Sequence, residues 1–87
     1  MAFRENEIIG YSRFISKKNE ETLIVDVMME ASDFNRRYGR VGNVCEQIFM
    51  PSHLFDKFDE SVVGKVIDIK YDGRGRYANI VDVSFSD

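Results

Sequence analysis

Apolar residues recur along much of this chain with a period of two, the repeat that sends successive side chains to opposite faces of a β-strand. Over residues 7–17, Ile9, Tyr11, Arg13 and Ile15 share one face and Ile8, Ser12, Phe14 and Ser16 the other, which predicts a first strand. Lys18-Asn19-Glu20-Glu21 is a polar turn. Residues 22–30 alternate more clearly, with Leu23, Val25, Val27 and Met29 opposed to Ile24, Asp26, Met28 and Glu30, so a second strand pairs with the first as a hairpin. Residues 31–40, with Asn35 and Gly39, predict a long hairpin loop, and a third strand follows over about residues 41–50. Pro51 ends it because proline cannot donate to a ladder. Ser52 is then the expected N-cap of a short helix that plugs the core with Leu54, Phe55 and Phe58. A fourth strand over residues 64–71 places Ile67, Ile69 and Tyr71 on one face. Asp72-Gly73 is a strong two-residue turn signal, and a fifth strand runs to about Phe85 with Val81, Val83 and Phe85 inward.

The pattern predicts an all-β chain, mainly β with one short helix, forming a single domain over residues 1–87. There is no internal repeat, low-complexity tract or linker. Composition agrees, since Val and Ile number 17 against two Leu and three Ala, a bias toward strands over helix faces. Three meandering strands, a helix and a closing hairpin is the element order of the five-stranded OB-like barrel, an architecture that binds oligonucleotides or oligosaccharides.

Candidate chemistry is sparse. One cysteine excludes an internal disulfide, and a single histidine leaves no zinc-type Cys/His spacing. Cys45, mid-strand, is expected to be buried and inert, and His53 to be a surface or capping residue. No nucleophile, base and orienting group stand together, so no enzyme activity is expected. Asp56, Asp59 and Glu60 read as a solvated acidic face, and no metal or cofactor is expected. Gly73-Arg74-Gly75 lacks the third glycine and the helix of a dinucleotide fingerprint, so its glycines serve a turn. No apolar run is long enough to span a bilayer and the N-terminus lacks the apolar stretch of a signal peptide, so a cytoplasmic chain with no membrane partner is expected.

The net charge of −3 argues against a nucleic-acid partner until its distribution is considered. Residues 1–33 carry four basic and seven acidic side chains, and residues 46–68 two and five, so both blocks are acidic. Positive charge is gathered in Phe34-Asn35-Arg36-Arg37-Tyr38-Gly39-Arg40 and in Lys70-Tyr71-Asp72-Gly73-Arg74-Gly75-Arg76-Tyr77. Arginines interleaved with aromatic rings can hold phosphates while stacking unpaired bases. The candidate contacts are Phe34, Arg36, Arg37, Tyr38 and Arg40 in the first cluster, and Tyr71, Arg74, Arg76 and Tyr77 in the second. Tyr71 and Tyr77 fit core packing or stacking alike, and Arg13 with Phe14 are candidates for a groove floor. The expected partner is single-stranded DNA or RNA.

The arginine/tyrosine loop at residues 36–40, with the closing hairpin of residues 64–71 and Gly75-Arg76-Tyr77, resembles the small OB-fold single-stranded-DNA-binding proteins of filamentous and related bacteriophages. The resemblance implies a homodimer that coats single strands cooperatively during phage or plasmid replication, in the cytoplasm of a bacterial host. It carries over the loop arginines and Tyr38 as contacts; the acidic total departs from it. Two other readings stay open. One is a small dimeric protein-interaction module. The other is a nucleotide-sensing barrel similar to PilZ domains, suggested by Arg36 to Arg40 and Asp82-Val83-Ser84 but lacking the closing glycine and the expected spacing.

Overall fold

A computed structural model describes residues 4–73 and 79–87 of the chain. Five strands form two antiparallel sheets: β1 (Ile8–Ile15), β2 (Glu21–Met29) and β3 (Val44–Phe49) in the order β1-β2-β3, and β4 (Val66–Asp72) with β5 (Asn79–Ser86). The mainly-β expectation and the order of strands stand. A closed five-stranded barrel is absent among the described residues, because β3 and β5 are not paired. The sheets join instead at a single antiparallel bridge, Glu7 to Val66. Ile8 N donates to Lys65 O at 2.8 Å, Gly64 N to Ile8 O at 2.8 Å and Ile67 N to Asn6 O at 2.9 Å.

Both sheets carry a bulge that alternation alone does not reveal. The β1–β2 register runs Ile8 to Val27, then Gly10 to Asp26, so Ile9 is the extra residue. Ile8 is therefore turned onto the face of Val27, Val25 and Leu23 and is fully buried, while Ile9 is 37% exposed. That corrects the expected grouping of Ile9 with Tyr11. In the second sheet Lys70 pairs with Asp82 but Tyr71 with Ile80, which leaves Val81 as the extra residue. Ile80 packs against the core and Val81 is 44% exposed, the reverse of the expected inward Val81. Val83 is buried, and Phe85 packs against the core as expected. Asp72 pairs with Asn79, so Asp72-Gly73 is not a two-residue turn; the connection is longer.

After Pro51 the chain forms a 3₁₀ helix, Ser52–Lys57, and a second over Glu60–Val62. Pro51 holds the cap position with no side-chain bond, and Ser52 lies inside the first turn rather than capping it. Leu54, Phe55 and Phe58 are buried as expected, joined by Met50, Val62, Ile67 and Val83 from the surrounding elements. Phe58 meets Phe85 edge-on at 5.3 Å and Tyr11 at 6.3 Å, linking the two sheets through one ring. His53 Nε2 donates to Val81 O at 3.0 Å, while Lys57 pairs with Asp82 and reaches Val83 O at 3.3 Å. These bonds fasten the 3₁₀ segment to β5. The lysine hydrogen bond and the Val83 amide hold the Asp82 carboxyl below the usual range, and Ser61 does the same for Asp59.

Two outcomes test this packing. Ile8→Ala is expected to cost about 2–5 kcal/mol in urea unfolding, and Ile9→Ala about 1 kcal/mol or less. Equal losses would place the bulge wrongly. Asp82 has a folded-state pKa below its unfolded value of about 3.9, so its contribution is present above that pH and is lost as pH falls through the folded value. The stability gap between wild type and Asp82→Asn, read from denaturation midpoints, is therefore constant from about pH 5 to 8 and closes below about pH 4.

Candidate nucleic-acid interface

Residues 31–40, expected as a loop, contain a short helix, α1 (Asp33–Arg37). Ser32 explains the difference: its backbone is extended and its hydroxyl accepts from Asn35 N at 3.3 Å, an N-cap that a turn-rich reading overlooks. Asp33 in the first turn and Arg36 and Arg37 in the last suit the helix dipole. Gly39, at φ +87°, ends the helix in a conformation that costs glycine little.

The helix sets Phe34 and Tyr38 one turn apart on the same side, and their rings meet at 4.8 Å with a tilt of 49°. Phe34 is 67% exposed and Tyr38 79% exposed, so the pair is an aromatic surface open to solvent. The three arginines beside it differ in state. Arg36 is engaged by Glu30 at 3.0 Å and by Asp33 at 4.0 Å. Arg40 donates to the Asn43 carbonyl and braces the following loop. Arg37 makes no ion pair among the described residues and is exposed.

The other expected contacts separate. Arg13 faces the core side of β1, where it pairs with Glu21 at 2.5 Å and lies 5.3 Å from the centre of the Phe55 ring. Phe14, its neighbour, points to the opposite face, so the two do not share one groove floor. Tyr71 is 54% exposed and lines a cleft of about 180 Å³ with Asn6, Met29, Ile67 and Ile69. Its ring is neither buried in the core nor free of it. Arg74, Arg76 and Tyr77 lie outside the described residues.

An aromatic that the sequence reading missed is Phe49. Its partner across the ladder is Ile24, which puts it on the outer face of the three-stranded sheet with Phe14, Met28 and Cys45. It is 66% exposed and borders a cleft of about 350 Å³ with Met50, Pro51, Asn79 and Ile80. Alternation along β3 gives no clear inner face, since Val44, Glu46 and Ile48 oppose Cys45, Gln47 and Phe49. Only the pairing with β2 assigns it. Cys45 is exposed on that face, contrary to the buried position expected.

Among the described residues no group of three or more His, Cys, Asp or Glu side chains could hold a metal ion. No helix there is long and apolar enough to cross a membrane. Comparison with protein families, with characterised proteins and with solved structures finds nothing that matches this chain.

Proposed function

We propose that this protein is a non-enzymatic single-stranded nucleic-acid-binding protein, with DNA the favoured ligand, acting in phage or plasmid replication. The observation that carries the reading is the exposed Phe34–Tyr38 ring pair beside Arg37 on α1, which has no ion pair among the described residues. An unpaired base stacks on such a ring for about 1–3 kcal/mol, and a neighbouring guanidinium takes the phosphate. Duplex DNA keeps its base faces covered, so the same surface favours single strands.

The fold is compatible with this reading. Two sheets joined through Glu7 and Val66, with β3 and β5 unpaired among the described residues, keep the strand succession of an OB-like barrel without its closure. Phe14 and Phe49 on the outer face of the sheet would extend the stacking surface. The role in replication rests on the resemblance to the phage single-stranded-DNA-binding proteins.

Fluorescence anisotropy of a labelled poly-dT oligonucleotide, with duplex of the same length as control, tests the proposal. Salt-sensitive binding to the single strand alone is expected, and no binding to either at low salt would remove the nucleic-acid reading. Tyr38→Ala is expected to weaken binding about 5- to 30-fold at every salt concentration. Arg37→Ala should weaken it and lower the logarithmic salt slope by about 0.7. Arg36→Ala should do less than Arg37→Ala, because Glu30 already holds that guanidinium. Curves that coincide with wild type for both Tyr38→Ala and Arg37→Ala would move the site away from α1.

A further inference from the structure

Of the three arginines around α1, Arg36 is the one held by carboxylates among the described residues. Its Nη2 donates to Glu30 Oε1 at 3.0 Å, and its Nη1 lies 4.0 Å from Asp33 Oδ1. The nitrogens of a guanidinium form the fork that grips a phosphate. In Arg36 both terminal nitrogens face an acid. Arg37, the next residue, makes no ion pair among the described residues, and Arg40 donates to the neutral carbonyl of Asn43.

The chain around Glu30 is fixed on both sides. Met29 before it is the last residue of β2 and pairs with Val44, while Ala31 after it is buried. Ser32 then caps the helix that carries Arg36, and Arg36 N donates to Ser32 O at 3.0 Å. The carboxylate is thus placed by the fold and not by a loose segment. Both partners remain open to solvent, Glu30 at 66% and Arg36 at 54%. Ion pairs in such positions are weak, so an arriving phosphate can take the guanidinium over.

We propose that Glu30, with Asp33 beside it, is a built-in counterion that withholds Arg36 from the nucleic-acid strand and so sets the affinity and salt dependence of the α1 site. The inference rests on the nucleic-acid reading of that site. A phosphate reaches Arg36 only by displacing the Glu30 carboxylate, which stays close by and repels it. Arg36 therefore adds less than a free cation to phosphate affinity and to the salt slope, whereas Arg37 adds its full share. Affinity is held below what three arginines would give, and it rises when Glu30 is neutralised.

Anisotropy of labelled poly-dT, titrated between about 50 mM and about 1 M salt, reads both quantities. Glu30→Gln keeps an acceptor for Arg36 and removes the charge. It is expected to bind about three- to tenfold tighter than wild type at about 50 mM salt, with a logarithmic salt slope steeper by about 0.7 and a difference that vanishes near about 1 M. Glu20→Gln makes the same change of net charge at the end of β2 away from α1, and should alter neither quantity. In an Arg36→Ala background Glu30→Gln should gain nothing, and in a Glu30→Gln background Arg36→Ala should weaken binding as much as Arg37→Ala weakens wild type. No binding by wild type or by Glu30→Gln would remove the nucleic-acid reading and this inference with it. Single-strand binding by wild type that Glu30→Gln leaves unchanged or weakens, or a gain that persists when Arg36 is alanine, would overturn the counterion role alone.

Discussion

The fold depends on residues 6–8 being hydrogen-bonded on two sides at once. Toward β2, Asn6 N donates to Met28 O at 2.7 Å and Met28 N to Glu7 O at 2.9 Å. Toward β4, Asn6 accepts from Ile67, and Ile8 both donates to Lys65 and accepts from Gly64. Asn6 reaches this position at φ +63°, a conformation asparagine tolerates better than most residues, and Gly64 at φ +91° lets the oncoming chain turn into β4. Arg4 clamps the same crossing, bonding Glu7 at 3.0 Å and the Gly64 carbonyl at 2.6 Å. Because the two sheets share one bridge among the described residues, the buried Ile8 beside it anchors the core where they meet.

The rest of the interior is arranged around that junction. Leu23, Val25 and Val27 lie across from β1, and the 3₁₀ segment closes the space over them with Leu54, Phe55 and Phe58. Its helix is too short to be stable alone, so its position comes from those apolar side chains and from His53 and Lys57 bonding to β5. Arg13 is absorbed into the same structure by Glu21 and Phe55. What the core does not consume, among the described residues, is α1 outside the sheets, the outer face of β1–β3 and the second edge of β3.

The arginine/tyrosine cluster was legible as a run of residues, but the partners of its arginines were not. In sequence Arg36, Arg37 and Arg40 are equivalent cations. In the structure the helix begun at Ser32 brings Arg36 within reach of Glu30, six positions away, and turns Arg40 toward Asn43. The helix also brings two rings into contact that a flexible loop would have left apart. Phe49 was invisible for a different reason. On an edge strand with mixed residues on both faces, burial follows from the partner strand, and its identity is a long-range fact.

What the sequence determined by itself is the set of elements: period-two runs rich in Val and Ile, broken at Lys18-Asn19, Pro51 and Gly73, made five strands in this order the consistent outcome. Local chemistry also sufficed for the apolar plug after Pro51. Tertiary structure alone decided which face of a strand is inward wherever a bulge intervenes, because one extra residue reverses the alternation beyond it, as at Ile9 and Val81. It also decided that the sheets meet at Glu7 and Val66 and that, among the described residues, β3 pairs on one side only. Those choices join residues far apart in the chain through main-chain hydrogen bonds, and every residue except proline offers the same donor and acceptor.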